Sequence, residues 1–556
     1  MKTVALSGRT GQGVETAGEM LAALLSQHGL SYRTWRDFST VIRGGSTAYE
    51  ISIVEPDDGR IDHNNAPRTS AVDLAVVFDD EGAQAYRRRL TPEGNLLGSQ
   101  HVSGLLPENS EASPHLGYNL WALGVIAGAL GFEEETLATA VSQRFPDPTN
   151  LGLATRGYQK GQLHQIFRVQ KSDDMVRMSG NQALCLGAIA GGVRFYCGYP
   201  ITPASDILEI LALKLPELGG VVYQVEDEIA AIHMAVGASY AGSRTFVATS
   251  GPGFSLMTEG LGYAATIEVP LVVIDNQRGG PSTGMPTKGE QSDLNHALYG
   301  GHGEFARIVL APTNILDSVA VMQEALNLAE HYQCVVLLLL DLDMAMNQKS
   351  YPWSRIESLL TAIPIDRSTT VLDGAVQDYR RFHAVEGHLP QRTIPGVAGG
   401  AYVASGDEHD DRGWMEPDFS QVRSSLHLRR LHKVDQIDFN RPWDRIGEEN
   451  APVVLMGMGA MAELISAVVL SMPDIYQGLL MRQLAPLPLM PALSPRVETI
   501  IIAEYNATGQ LQRLVEPMFG GKQFRSVRRY HGEQFTVEEF TEQLMAIRLP
   551  HEGMVD

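Results

Sequence analysis

The sequence predicts an α/β protein built from three parallel-sheet modules, and three observations carry that prediction. Apolar strand candidates alternate with amphipathic helical stretches over residues 1–165, again over 175–365, and again over 446–556. Glycine-rich turns sit at strand-to-helix junctions, as in GRTGQG (8–13) and TSGPG (249–253). Residues 366–445 break the alternation: rich in glycine, proline and acids and with little periodicity, they read as an extended connector wrapping a neighbour.

The first module opens with the strand KTVALS and the GRTGQG loop. In VETAGEMLAALLSQHG, residues Val14, Ala17, Leu21, Leu24 and Leu25 keep helical spacing, and Gly29 stops the helix. TAYEISIV and VDLAVVF are further strands, and LHQIFRVQKSDDMVRMSG reads as a polar connector. The second module holds four strand–loop–helix steps: VRFYCGYP into DILEILALKL, VVYQV into IAAIHMAVGASYAG, RTFVATS into FSLMTEGLGYAAT, and PLVVID into a Gly/Pro/Ser/Thr loop. Right-handed crossovers put all the loops that follow parallel strands on one edge. Thr202, Glu228, the 250–253 turn and Arg278 are therefore expected at one crevice. The third module is announced by APVVLMGMGAMAELISAVVL and ETIIIAEYNATGQLQRLVEPMF.

A formal net charge of −22 argues against nucleic acid or an anionic membrane as partner, since both would repel it. The longest apolar run, CVVLLLLDLDMAM, is broken by aspartates and falls short of the roughly 20 residues a membrane helix needs. MKTVALSGRTGQG meets a charged glycine-rich loop too early for a signal peptide. The three cysteines, Cys185, Cys197 and Cys334, are widely spaced, which fits a reducing cytoplasm and cannot supply a four-cysteine cluster. A cytoplasmic protein is expected.

Four stretches carry chemistry. Arg278, with Gly279 and Gly280 allowing close approach and Thr283 and Thr287 adding hydroxyls, suits a carboxylate gripped by two parallel bonds worth about 1.5–3 kcal/mol each. It equally suits pairing with Asp275 or Glu290. In GYPITPAS, prolines flank Thr202, a hydroxyl fixed near a helix start; Thr202 or Ser205 is either an ordinary N-cap or a donor to a ligand. In VEDEIAAIHMAVGA, Glu228 stands where the pattern turns apolar, a boundary that would desolvate its carboxyl and raise its pKa, while acids in a first turn also suit the helix dipole. His233 on that helix reads as packing or surface. Gly8, Gly11 and Gly13 either cradle a phosphate or form a tight turn, and their spacing is not the dinucleotide GxGxxG. No GDG followed some 25–30 residues later by Asn is present, no histidine cluster has metal-ligand spacing, and DGAVQD (373–378) lacks the glycine before its aspartate.

GYPITPAS, VEDEIAAIHMAVGASYAGSRTFVATSGPGFSLMTEGLGYA, QRGGPSTGMPTKGEQSDL and AEYNATGQL, in that order, resemble the α subunit of 2-oxoacid:ferredoxin oxidoreductases, and the GRTGQG unit resembles the family's γ subunit fused in front. The likeness spans nearly the whole chain. It implies a γ-type domain over 1–165, a pyrimidine-binding domain of thiamine diphosphate enzymes over 175–365, and a transketolase C-terminal-like domain over 446–556. It implies oxidative decarboxylation of a 2-oxoacid on thiamine diphosphate, formation of an acyl-CoA from CoA, and electron transfer through an iron–sulfur cluster to ferredoxin, with the reverse reaction fixing CO2. A β subunit is then expected to carry the diphosphate site, its Mg2+ and the cluster, which accounts for the missing motif and cysteines, in an (αβ)2 assembly. By position, Glu228 falls on the catalytic glutamate that hydrogen-bonds the aminopyrimidine ring and promotes the tautomer that deprotonates the thiazolium carbon. Tyr199, Pro200, Ile201, Ser250 and Gly251 fall around the cofactor. Thr202, Arg278 and Thr287 fall on substrate ligands, and Gly8, Arg9, Gly11, Gln12 and Gly13 in the domain placed near CoA. Glu504 to Leu511 carry a signature expected to be structural or interfacial.

The γ–α fusion resembles forms acting on 2-oxoglutarate or several oxoacids, so 2-oxoglutarate is the expected substrate, with pyruvate or another 2-oxoacid the alternative. A dicarboxylate needs a second cation, for which Lys288 and Arg43 are candidates by position. A CoA-binding scaffold without catalysis has no need of Glu228, Thr202, Arg278 and Thr287 together, and a self-sufficient thiamine lyase needs a diphosphate site that is not found here.

Overall fold

The computed structural model describes residues 1–37, 46–54, 68–98, 117–166, 175–383, 389–415, 419–435, 437 and 439–547. Strand Lys2–Arg9 lies at the centre of a seven-stranded sheet, and Gly11 and Gly13, at φ 91° and 79°, make the left-handed turn into helix Val14–Gln27. Val72–Val77 runs parallel to both Lys2–Arg9 and Leu90–Gly98. Ser46–Ile53 is instead antiparallel to Lys2–Arg9 and to Tyr32–Asp37. This sheet is mixed where a parallel one was expected. The reason is length: residues 38–45 are fewer than the dozen or so that a parallel crossover requires.

Two further strands of this sheet, Gln348–Pro352 and Met175–Ser179, come from the second module and pair antiparallel with each other. The stretch read as a polar connector thus ends in an edge strand. Its first three residues are only half-buried, so the polar side chains that obscured it in sequence cost little there. Ser179 then closes a capping box with Gln182 on helix Gly180–Ala190.

Two helices of the first module, Tyr118–Ala129 and Pro148–Gly161, approach so closely that only glycine fits between them. A Cβ at Gly124, Gly128, Gly157 or Gly161 would overlap the carbonyl oxygen of Ala154, Tyr158, Trp121 or Val125, respectively. Their outer faces join Val14, Leu21, Leu25, Leu74 and Val76 in one apolar core.

The second sheet has the order Gln483–Ala485, Arg307–Leu310, Val335–Asp341, Leu271–Gln277, Thr245–Thr249, Phe195–Gly198, Val221–Gln224, and every pairing except that of Gln483–Ala485 is parallel. The third sheet, Trp443–Ile446, Tyr476–Met481, Val453–Gly457, Thr499–Glu504, Gln523–Arg528, is parallel apart from its first strand. One face of the second sheet and one of the third share a single core that contains Val247, Val273 and Leu339 beside Val454, Met456 and Ile500.

The connector is anchored on the second module by buried guanidinium groups. Arg392 donates to Glu330 Oε1 (2.9 Å) and to the carbonyl of Ser239 (2.8 Å), and Arg381 to the carbonyl of Glu268 (2.7 Å). It also contains a 14-residue helix, Phe419–His432, which the weak periodicity of its sequence had hidden.

The glycine seam makes a prediction. Gly157→Ala forces a methyl against the Trp121 carbonyl, and overpacking of this kind costs about 1–3 kcal/mol. Hydrogen exchange should accelerate in Tyr118–Ala129 and Pro148–Gly161 while the second and third sheets keep their protection.

Candidate active site

In the second sheet the chain runs from Phe195–Gly198 outward to Val221–Gln224, then returns to Thr245–Thr249 on the other side of its start. Strand order reverses there, and an open parallel sheet has its ligand crevice at the carboxyl ends of strands at such a reversal. The loops 199–204, 225–227, 250–253 and 278–293 all leave the sheet at that edge.

Arg278 follows strand Leu271–Gln277 and is only 7% exposed. Its Nη1 donates to the Thr202 carbonyl at 2.6 Å, so two loops far apart in sequence are tied together. Its Nε is buried with no partner. Thr202 itself is exposed at the rim, behind exposed Tyr199 and Pro200 and half-buried Ile201.

Neither alternative partner of Arg278 forms an ion pair with it among the described residues. Asp275 is buried, with neither carboxylate oxygen hydrogen-bonded. Burial and the neighbouring charge of Asp293 push it well above the usual carboxylate range. That shift weakens Asp275 as a counter-ion for Arg278. Glu290 accepts from Ser292 Oγ at 3.0 Å. Asp293 is pushed up to about 6, by burial first and Glu290 second. The net charge beside Arg278 therefore changes with Asp293, a residue the sequence reading did not single out.

Glu228 opens helix Glu228–Tyr240, whose N-cap is the adjacent Asp227, accepting from Ala230 N at 2.8 Å. The capping duty falls on Asp227, which leaves Glu228 without it. Glu228 is buried at 6% exposure, and its carboxylate meets no hydrogen-bond donor among the described residues. Helix Gly251–Thr266 passes directly against it: a Cβ at Gly253 would stand 2.5 Å from Glu228 Oε1 and would collide with Thr249 Oγ1. A Cβ at Gly251 would stand 2.8 Å from Asp293 Oδ2. One helical turn thus has Glu228 on one side and the surroundings of Arg278 on the other. Ser250, the N-cap of that helix, is buried and its Oγ has no partner. His233 lies on the exposed face of its helix, bonded to the Ile229 carbonyl at 2.8 Å.

The loop after Arg278 folds back on itself, with Gly279 N donating to the Lys288 carbonyl at 2.9 Å, and so returns half-buried Thr287 beside the strand end. Lys288 does not project as a free second cation. Its Nζ donates to Asp37 Oδ1 (2.5 Å) and Glu533 Oε1 (2.6 Å), and so links all three modules. Arg43 lies outside the described residues.

At the GRTGQG loop, Gln12 accepts from Arg9 N at 2.7 Å and its own N–H returns to the Arg9 carbonyl at 3.1 Å. A Cβ at Gly8 would stand 2.7 Å from Gln12 Oε1. These bonds build a tight turn, while Arg9 stays exposed beside a helix start with no side-chain cap.

Gln291, also unremarked in the sequence, joins the site loop to the third module. It accepts from Tyr505 N (3.2 Å) and donates to Asp341 Oδ2 and the Met458 carbonyl (both 2.9 Å). Within AEYNATGQL, fully buried Glu504 accepts from Leu511 N at 2.9 Å, and Asn506 Oδ1 accepts from Gly509 N at 2.7 Å. The signature is a helix-start clasp.

Beside the crevice the edge strand Val221–Gln224 and its neighbours expose Tyr199, Val221, Tyr223, Ile229 and Leu256, each at least 40% accessible. Parallel sheets are ordinarily covered on both faces and protected at their edges, and this edge is neither.

Residues 3–160 match the protein family described as "Pyruvate ferredoxin/flavodoxin oxidoreductase", and 186–413 the family described as "Pyruvate flavodoxin/ferredoxin oxidoreductase, thiamine diP-bdg". The chain is 30% identical to the 2-oxoacid:ferredoxin oxidoreductase 1 subunit alpha of Aeropyrum pernix, over 98% of this chain and 97% of the relative. It is 36% identical to the 2-oxoglutarate synthase subunit KorA of Methanothermobacter marburgensis, over 52% of this chain and 76% of the relative. Among solved structures it is similar to the 2-oxoglutarate:ferredoxin oxidoreductase from Magnetococcus marinus with 2-oxoglutarate, coenzyme A and succinyl-CoA bound, at a TM-score of 0.85 and 28% identity, covering 98% of this chain and 99% of that one. The chain belongs to the 2-oxoacid:ferredoxin oxidoreductase family, as an alpha subunit that carries the family's two domains in a single polypeptide.

Proposed function

We propose that this alpha subunit binds the aminopyrimidine end of thiamine diphosphate at Glu228 and the carboxylate of 2-oxoglutarate at Arg278, and that with a β subunit it converts 2-oxoglutarate and CoA to succinyl-CoA and CO2, passing electrons to ferredoxin. One observation carries the reading: the buried Glu228 and Asp293, the acid whose charge acts on buried Arg278, flank the same helical turn, and neither Glu228 nor Arg278 forms an ion pair among the described residues.

The residues present fit the cofactor. The buried Oγ of Ser250 has no partner and Glu228 accepts no hydrogen bond among the described residues, Gly253 leaves no room for a side chain, and Tyr199, Pro200 and Ile201 border the same crevice. When bound, thiamine diphosphate supplies the electron sink that stabilises the carbanion left by decarboxylation. Glu228 would hold a proton at the pyrimidine ring nitrogen. Arg278 orients the oxoacid carboxylate with a charge-assisted fork, steadied by the Thr202 carbonyl behind it. Thr202 and Thr287 add hydroxyls at the rim.

The exposed apolar edge supports a partner that covers the crevice and brings the diphosphate and Mg2+ site and the iron–sulfur cluster, and an (αβ)2 assembly follows from the same reading. The turn at Gly8, Arg9, Gly11, Gln12 and Gly13 is assigned to CoA only through exposed Arg9 and the uncapped helix start. Lys288 is withdrawn as the second cation for a dicarboxylate, because its charge is met by Asp37 and Glu533. Support for 2-oxoglutarate over pyruvate comes from the relatives named as 2-oxoglutarate synthase subunits and from the similar structure that holds 2-oxoglutarate.

Steady-state rates of the assembled enzyme with 2-oxoglutarate, pyruvate and indolepyruvate test the substrate: kcat/KM is expected highest for 2-oxoglutarate, and a preference for pyruvate overturns it. Glu228→Gln should lower kcat by about 10²–10⁴-fold and leave KM nearly unchanged, since general acid–base groups contribute on that scale. Arg278→Met should reduce kcat/KM for the oxoacid by about 1.5–3 kcal/mol, seen chiefly in KM. In the parent enzyme, lowering the pH from 8 toward 6 protonates Asp293, whose pKa is pushed up to about 6, and removes a negative neighbour from Arg278. KM should fall over that interval, and Arg278→Met should abolish the fall.

A further inference from the structure

Away from the crevice, helix Phe419–His432 closes over a cavity of about 50 Å³, several times what one water needs. Its walls include Thr266, Phe305, Ala306, Cys334, His427 and Arg430. Here four cations share two carboxylates. Arg423 (2.7 Å) and Arg430 (2.7 and 2.8 Å) both donate to Glu408. Arg429 and Lys433 (3.0 Å) both donate to Glu268. Glu304 stands at the mouth with its side chain 81% exposed, 3.6 Å from His427.

The excess of positive charge is largely buried. Arg430 lines the cavity at 7% exposure, and its buried Nη1 has no partner among the described residues. Lys433 uses one donor on Glu268 and one on the Gln333 carbonyl (2.6 Å) and retains a third. The carboxyl end of helix Gly251–Thr266 reaches the cavity through Ala265 and Thr266, but a helix end supplies only about half a unit of negative charge. In a chain of net charge −22, this concentration of cations is not a general feature of the composition.

We propose that this cavity binds a phosphate-class oxyanion, free or as the terminal group of a larger molecule, among the Arg430, Lys433 and Arg423 side chains that line it. The cavity lies along helix Gly251–Thr266 from Glu228, roughly 20 Å for the 13 steps between Gly253 and Thr266, so it is separate from the proposed oxoacid crevice.

Isothermal titration of inorganic phosphate into the chain purified with its partner subunit, in chloride at low ionic strength, tests this. Saturable binding is expected that weakens at least tenfold in Arg430→Met and in Ala306→Leu. The second variant fills the cavity and leaves every charge in place, so it decides the matter if loss of Arg430 disturbs the fold around Glu408. Phosphate binding unchanged in Ala306→Leu, or absent from the parent protein, overturns the site. Acetate binding as tightly as phosphate overturns the assignment to the phosphate class.

Discussion

A buried arginine without an anionic partner is the constraint on which the rest of this chain depends. Burying a charge costs several kcal/mol unless something answers it. Around Arg278 the protein answers with one carbonyl, that of Thr202, and with a carboxyl group, Asp275, whose own burial raises its pKa and so weakens it as a counter-ion. Two buried groups of opposite native charge in such proximity would ordinarily neutralise each other as an ion pair. Here desolvation and Asp293 favour the neutral acid, and a cation is left facing the crevice. A ligand that brings a carboxylate completes the electrostatics that the polypeptide leaves open.

Keeping that arrangement rigid requires the three modules to hold one another. Lys288, at the end of the loop that starts with Arg278, is fixed to Asp37 of the first module and Glu533 of the third. Three residues further on, Gln291 is bonded into the Glu504–Asn506 clasp, and Asp341 accepts from Ala460 N at 2.7 Å at the start of a third-module helix. The same surface carries Arg33, buried and paired with both Asp343 and Glu463. The loop that starts with Arg278 is therefore exposed at its tip and over-determined at its base, the distribution that suits the proposed entry of a ligand past fixed ligating groups.

Much of this was legible in the sequence because strand, loop and helix repeat three times between 193 and 266 and a fourth strand follows to 277, and parallel topology then leaves no choice about which edge receives Thr202, Glu228, Ser250 and Arg278. The rest was not legible, for identifiable reasons. Met175–Ser179 is a strand because Gln348–Pro352 lies beside it, a pairing across more than 160 residues that no local pattern records. Lys288 looked available because its counter-ions, Asp37 and Glu533, are distant in sequence. Asp293 looked like an ordinary loop acid, and it gains importance only where Gly251 lets a helix press against it. Gly253 was the missed local signal: the second glycine of TSGPG is needed because Glu228 occupies the space of its Cβ.

The apolar edge explains why Glu228 is built as it is. A carboxylate enclosed on every side by one chain would need donors from that chain, or would take up a proton permanently. Glu228 has no such donor, and the residue after it, Ile229, is 47% exposed. The carboxylate therefore stands at the boundary of the fold, buried from beneath by Gly253 and Thr249 and open toward the side on which Tyr199, Tyr223 and Leu256 wait for cover. On the proposed function, its chemistry is set only when a cofactor supplies the missing donor and a second subunit excludes water, and an alpha subunit that finished this pocket alone would close the opening which that function requires.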